Sequence, residues 1–169
     1  RSSDLSASAT AMCAPAAAAC ASCGPAARDR HTRVRDRTAR AVLHRRSDEH
    51  AAAMLMKGMT VEYLLNRCYP LKAGEFALFY AAAGGVGLLA GQWGRHLGAR
   101  LIGVASGAEK CRAALENGYH AVIDRSREDI AARVKEITGG AGVPVVYDSI
   151  GKATFETSIK CLAPRGYFV

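Results

Sequence analysis

The sequence predicts an α/β fold: a doubly wound, parallel sheet behind an irregular amino-terminal extension. Three observations carry that expectation. Five short apolar runs alternate with four helical patterns between Glu75 and Val169, the pattern of a parallel sheet with right-handed crossovers and helices on both faces. The first run is nearly continuous in apolar residues, as a strand covered on both sides must be. It passes straight into a glycine-rich turn, Ala81-Ala-Ala-Gly-Gly-Val-Gly87, that opens a helix.

Taken in order, residues 1–46 shift from Ser and Ala, to Ala with Cys and Pro, to alternating Arg and Asp, with no fold-specifying period. They read as an irregular or disordered extension. The pattern becomes regular at Ser47. Ser47 or Asp48 caps a helix that carries Met54, Leu55, Met59, Tyr63 and Leu64 on one broad apolar face and ends near Arg67, ahead of Pro70. Glu75–Tyr80 is the first strand and Val86–Leu97 its helix, stopped at Gly98. The unit then repeats: Arg100–Ala105 strand, Ala108–Asn117 helix, His120–Asp124 strand, Glu128–Thr138 helix closed by Gly139 and Gly140, Val143–Tyr147 strand, Ala153–Leu162 helix. Gly166–Val169 is the fifth strand. A complete sheet of this type has six strands. The sheet is therefore expected to be truncated after the fifth, with a bare edge and poor folding of the chain alone.

Composition removes several classes of function. The formal charge of +8 is spread along the chain, with nine arginines against five acids in residues 1–50 and fourteen basic against ten acidic residues in 51–169. Neither part has a basic run interleaved with aromatics, so no nucleic-acid partner is expected. Lys57 and Glu62 interrupt the best apolar run, which excludes a membrane span there. The Ala-rich stretch from Ala11 to Ala21 lacks the features of a signal peptide. Cys68, Cys111 and Cys161 lie far apart on helical patterns and read as small core residues in a reducing, cytoplasmic compartment. Cys20 and Cys23 form a C-x-x-C that Cys13 and His31 extend to four zinc ligands on paper. The loop lacks a second close pair and any apolar packing for a metal, so no metal site is assigned.

The turn has dinucleotide-binding spacing, with Ala81 at the first glycine position, Gly84 at the second and Gly87 at the third. In a Rossmann-type fold Gly84 lets the backbone approach a pyrophosphate, Gly87 lets helix and strand pack closely, and the helix amino terminus aims amides at the phosphates. Ala83, Gly84, Gly85, Val86 and Gly87 are the candidate phosphate-binding residues. Domains that prefer NAD place an acid at the tip of the second strand to take the ribose 2'-hydroxyl. Here the tip reads Ala105-Ser106-Gly107, with Lys110 one helical turn on and Arg125 after the third strand. A hydroxyl and two cations in place of a carboxylate favour NADPH over NADH. Asp148 and Ser149, at the end of the fourth strand, either line the cofactor cleft or cap the following helix. His96 and His120 have no partner at metal or triad spacing and read as structural or exposed. Tyr147, Glu62 and Tyr63 are further titratable candidates, but no Ser-His-Asp or Cys-His constellation is legible and no catalytic residue is assigned.

Read together, these residues resemble the zinc-independent NADPH:quinone oxidoreductases of the medium-chain dehydrogenase/reductase superfamily. The resemblance runs over Ala51-Ala-Ala-Met-Leu-Met-Lys-Gly-Met-Thr-Val-Glu-Tyr-Leu-Leu65, Ala81–Gly87, Gln92-Trp93, Leu97-Gly98-Ala99, Lys110, Val122-Ile-Asp124, Glu136-Ile-Thr-Gly-Gly140 and Val145-Val-Tyr-Asp-Ser-Ile-Gly151. It covers about Ser47 to Val169. It implies a homodimeric reductase that passes hydride from NADPH to a quinone or a similar electron-poor acceptor, with the nicotinamide supplying the chemistry. By the same resemblance the helix containing Thr60 shapes the nicotinamide cleft, and Lys110 and Arg125 hold the 2'-phosphate. Arg125 departs from the family, in which an aromatic residue or histidine is more usual there. Enoyl and alkenal reductases share the same cofactor domain, and a cofactor-binding fragment without catalysis is a further alternative. Family members carry a β-rich substrate domain ahead of the cofactor domain, and residues 1–46 do not resemble it. Their excess of Arg, Ala, Cys and His is what GC-rich coding sequence gives when read in another frame, so 1–46 are read as a candidate frame misreading ahead of an NADP(H)-binding domain at 47–169.

Overall fold

The computed structural model describes residues 48–169, which belong to one unit, Ser47–Val169. The expectations for residues 1–46, including the Cys13, Cys20, Cys23 and His31 set, and for Ser47 as a cap, lie outside the described residues. In chain order the elements are helix α1 (Asp48–Glu62), strand β1 (Phe76–Phe79), α2 (Gly85–His96), β2 (Arg100–Ala105), α3 (Ala108–Glu116), β3 (Ala121–Asp124), α4 (Ile130–Ile137), β4 (Val143–Tyr147), α5 (Phe155–Cys161) and β5 (Leu162–Phe168). All strand pairs are parallel, in the order β3-β2-β1-β4-β5. This is the doubly wound Rossmann-type sheet that the alternation of runs predicts.

Period-2 alternation along β1 divides the core into two layers. Ala77 and Phe79 join Leu101, Ala114, Tyr119, Val145 and Tyr147 on one face, together with Val61 and Leu65. Leu78 and Tyr80 join Ile102, Val104, Ile123, Val134, Val146 and Cys161 on the other. Helix α2 lies close on its face because Gly87, Ala90, Gly91 and Gly94 are the residues it buries. The Tyr119 ring occupies the space that a side chain at Gly91 or Gly103 would need.

Several expectations are corrected. The first helix does not run regularly to Arg67: α1 ends at Glu62 and continues as a π-helical turn, Tyr63–Cys68. Its apolar face is also different. Met54, Leu55, Met59 and Tyr63 are exposed, and Val61 and Leu65 are the residues driven into the core. Of the three cysteines read as core residues only Cys161 is fully buried, where burial pushes its thiol up to about 11. Helix α5 stops at Cys161 and passes directly into β5, so pairing begins at Leu162 opposite Val143, well before Gly166. A bulge through Arg165, at φ 65°, separates that pair from Tyr167 and Phe168, which pair with Val145 and Val146. Strand β5 forms one edge of the sheet, and Tyr167 and Phe168 on it are exposed.

Candidate functional site

The strand order reverses at β1, whose neighbours β2 and β4 are reached by crossovers in opposite directions. In open α/β sheets that reversal opens a crevice at the carboxyl ends of the strands. Tyr80 and the glycine turn end β1, and Tyr147 and Asp148 end β4, so the sequence brings its marked residues to this crevice.

Two clefts flank the turn and share Tyr80, Ala81 and Gly84 as a common wall. The first, about 330 Å³, is lined by Ala83, Val104, Ala105, Ser106, Lys110, Arg125 and Ile150 besides those three. The second, about 420 Å³, is lined by Thr60, Leu64, Phe79, Gly85, Val86, Gly87, Tyr147, Asp148, Ser149 and Val169 besides the same three. Every candidate cofactor residue lines one of them: Ala83, Gly84, Ser106, Lys110 and Arg125 the first, and Thr60, Gly84, Gly85, Val86, Gly87 and Ser149 the second.

The turn is built as the motif spacing requires. Ala81, where the motif has its first glycine, is held at φ 51° in the left-handed region. The Gly84 amide donates to the Ala81 carbonyl at 2.8 Å, which closes the turn. Leu88 donates to the Gly84 carbonyl at 2.8 Å as the helix begins, and no carbonyl among the described residues accepts from the amides of Gly85, Val86 or Gly87. Three free amides at the positive end of α2 fit a phosphate. Gly87 is fixed by close approach: a Cβ there would stand 2.5 Å from both the Ala81 and Ala82 carbonyl oxygens. The buried Tyr119 hydroxyl donates to the Gly87 carbonyl at 2.8 Å, and burial raises its pKa.

At the tip of β2, Arg125 Nε donates to Ser106 Oγ at 2.7 Å. That bond uses Nε and not the terminal nitrogens, and Arg125 lines the first cleft with Lys110. Asp124, which the sequence reading passed over, is the nearby carboxylate. Its Oδ1 accepts from the Gly107 amide at 3.1 Å and from the Ser126 amide and hydroxyl at 3.0 and 2.6 Å. The hydrogen bonds from Ser126 and Gly107 hold its pKa low. It fixes the loop after β2 and does not line the cleft.

Of the two alternatives for Asp148 the structure shows cleft lining and not a helix cap: the residue before α5 is Thr154, which makes no side-chain cap bond, and the amides that Asp148 holds belong to the loop ahead of the helix. Asp148 lines the second cleft, and its carboxylate accepts from the amides of Ile150 and Gly151 and the hydroxyls of Thr154 and Ser158, all within 3.0 Å. Burial pushes its pKa up, but the bonds from Thr154, Gly151, Ile150 and Ser158 outweigh this and hold it below the usual carboxylate range. Ser158 has one proton, which goes to Asp148, so the buried Tyr80 hydroxyl donates to Ser158 Oγ at 3.1 Å. Tyr80, the wall shared by both clefts, is thereby tied to the end of β4. It was missed because a lone tyrosine before a glycine turn belongs to no motif. Tyr147 is buried with its hydroxyl unpartnered among the described residues, and burial raises its pKa. His96 and His120 are exposed, and His120 lies edge-on to Phe76. Among the described residues no group of His, Cys, Asp and Glu side chains could hold a metal, and no helix is long and apolar enough to cross a membrane.

Fold and crevice together define a dinucleotide-binding domain. Residues 85–169 match the family described as zinc-binding dehydrogenase, and the chain belongs to that family, within the medium-chain dehydrogenase/reductase superfamily. It is similar to a quinone oxidoreductase of Pseudomonas aeruginosa, 54% identical over 121 residues, which are 72% of this chain and 37% of the relative. A 2-haloacrylate reductase of Burkholderia is 50% identical over 119 residues, 70% of this chain and 36% of that protein. The crystal structure of Escherichia coli quinone oxidoreductase complexed with NADPH superposes with a TM-score of 0.73 at 51% identity, covering 74% of this chain and 38% of that one. The chain thus spans little more than a third of the length of the curated relatives it matches.

Proposed function

We propose that the chain is the cofactor-binding part of an NADPH:quinone oxidoreductase, which passes hydride from NADPH to a quinone or similar electron-poor acceptor. The observation that carries the reading is the cluster of Ser106, Lys110 and Arg125 in the first cleft, whose lining includes no carboxylate, with Asp124 bound into the loop after β2. Two cations and a hydroxyl are the chemistry of a 2'-phosphate site. The free amides at Gly85, Val86 and Gly87 receive the pyrophosphate, and Thr60, Tyr147 and Ser149 shape the second cleft around the nicotinamide. The nicotinamide supplies the hydride, and no metal is required of these residues. Their role is orientation and exclusion of water. The apolar wall of Leu64, Phe79, Val86 and Val169 dries the second cleft.

Residues 47–169 are the NADP(H)-binding domain of this reading, and 1–46 an extension outside it. In this reading the whole enzyme is zinc-independent and homodimeric, and the free thiols of Cys68, Cys111 and Cys161 suit a cytoplasmic setting. The 50% identity to a 2-haloacrylate reductase favours a second reading, in which the acceptor is an activated alkene. The test is calorimetric titration with NADPH and then NADH. NADPH is expected to bind the more tightly, and Lys110→Ala or Arg125→Ala to weaken it about tenfold each while leaving NADH nearly unchanged. Equal affinity for the two cofactors in the wild-type chain would overturn the assignment.

A further inference from the structure

Lys57 has no role in anything described so far, yet its side chain reaches the start of helix α2. A Cβ placed on Gly85 would stand 2.8 Å from Lys57 Cε, 3.0 Å from Nζ and 3.1 Å from Cδ. Lys57 and Thr60 are three residues apart on α1 and so share one face. Thr60 lines the second cleft, and that face is turned toward the start of α2. Lys57 is half-buried and makes no ion pair or hydrogen bond among the described residues.

A cation laid against the amino-terminal end of a helix has the wrong sign for the helix dipole. Here it also lies beside amides that have no acceptor, those of Gly85, Val86 and Gly87. One arrangement makes both favourable: an anion held jointly by the ammonium and the amides. The cations of the first cleft, Lys110 and Arg125, stand on the other side of the turn.

We propose that Lys57 binds the pyrophosphate of the dinucleotide, clamping it from α1 against the amides of Gly85 and Val86. The proposal rests on the cofactor reading above. A Cβ on Gly85 would meet only the flexible end of Lys57, so the distances report where the ammonium lies. Lys57 reads the part common to NADPH and NADH, whereas Lys110 and Arg125 read the part that distinguishes them.

The test is calorimetric titration of the full chain with NADPH, NADH and adenosine 2'-phosphate, which has no pyrophosphate. Lys57→Met is expected to weaken NADPH and NADH by the same factor, roughly five- to tenfold for a partly solvated charge-assisted bond, and to leave adenosine 2'-phosphate unchanged. Lys57→Arg should retain most of the affinity. Lys57→Gln, which keeps most of the stem without the charge, should reproduce much of the loss. Should Lys57→Met not fold, the Lys57→Gln and Lys57→Arg pair decides the question. NADPH affinity within twofold of wild type in Lys57→Met or Lys57→Gln would overturn the clamp while leaving the cofactor reading intact. So would a loss confined to NADPH. A wild-type chain that binds none of the three ligands would overturn the cofactor reading and the clamp with it.

Discussion

Replacing Gly87 by alanine adds one methyl group at the point where helix α2 leaves the turn, and the structure sets its cost. The new Cβ would stand 2.5 Å from the carbonyl oxygens of Ala81 and Ala82 and 2.7 Å from the Ala82 carbonyl carbon. Carbon–oxygen contacts ordinarily begin near about 3.3 Å, so the overlap is roughly 0.8 Å against backbone on two sides. Neither carbonyl belongs to a flexible side chain that can swing aside. The Ala81 carbonyl accepts from Gly84, and the Gly87 carbonyl accepts from Tyr119, each at 2.8 Å. Relief therefore means moving the turn or the helix, at about 1–3 kcal/mol for overpacking and about 1 kcal/mol for a weakened hydrogen bond. The better helix propensity of alanine returns about 1 kcal/mol, leaving a net loss of about 1–3 kcal/mol. Gly58, inside α1 with nothing within 4 Å of its would-be Cβ, is the control. The same substitution there should stabilise by about 0.5–1 kcal/mol. Urea unfolding followed by the fluorescence of Trp93, the single tryptophan, measures both. A Gly87→Ala variant within 0.5 kcal/mol of wild type would refute the close-approach argument, as would the two variants shifting in the same direction.

Three further outcomes are expected. Ala81→Gly removes a left-handed φ of 51° and should stabilise by about 0.5 kcal/mol, the relief of roughly 1 kcal/mol being offset by the freer unfolded chain; an unchanged urea midpoint would place the strain elsewhere. Ser106→Asp puts a carboxylate at the tip of β2 and removes the hydroxyl that holds Arg125, so NADPH affinity should fall more than tenfold with NADH retained, measured by the same titration. Asp148 has its folded pKa depressed, so its contribution is present above the ordinary carboxylate value of about 4 and is lost as pH falls through the lower folded value. Asp148→Asn should be less stable than wild type at neutral pH, with the gap closing below about pH 4; a gap that widened in acid would show the sign to be wrong.

What was legible in the sequence was whatever local chemistry alone decides. Strands buried on both faces appear as uninterrupted apolar runs, and glycines marked the turn because backbone atoms fill the space around Gly87. The apolar face of α1 was not legible. Ala51 to Met56 is apolar all round, so no polar stripe orients the helix, and tertiary packing chose Val61 and Leu65. The start of β5 was hidden for a different reason: α5 runs into it with no intervening loop, and the Pro164-Arg165-Gly166 bulge resembles a boundary. The grouping of Ser106, Lys110 and Arg125 in one cleft was legible because they depart from an expected acid. The approach of Lys57 to Gly85 and the bond between Tyr80 and Ser158 were not, since each is a contact between segments distant in sequence.

The long-range contacts also explain why two clefts can act as one site. A ligand that spans both must cross the wall made by Tyr80, Ala81 and Gly84, and that wall has to hold a fixed height relative to β4. Backbone pairing alone joins β1 to β4 only through Ala77, Leu78 and Phe79, with the Tyr80 amide donating to the Tyr147 carbonyl at 3.0 Å as the last such bond. Beyond it the chain of hydroxyls takes over. Tyr80 is bonded to Ser158, Ser158 to Asp148, and Asp148 to the amides of Ile150 and Gly151. Ile150 lines the first cleft and Asp148 and Ser149 the second, so one hydrogen-bonded network, buried at its Tyr80 and Ser158 end, sets the β4 side of both. A saturated carboxylate at its centre is poorly placed to exchange protons with a substrate. The geometry therefore assigns Asp148 to holding the crevice in shape, and in the proposed reaction hydride transfer would depend on how the cofactor is oriented within it.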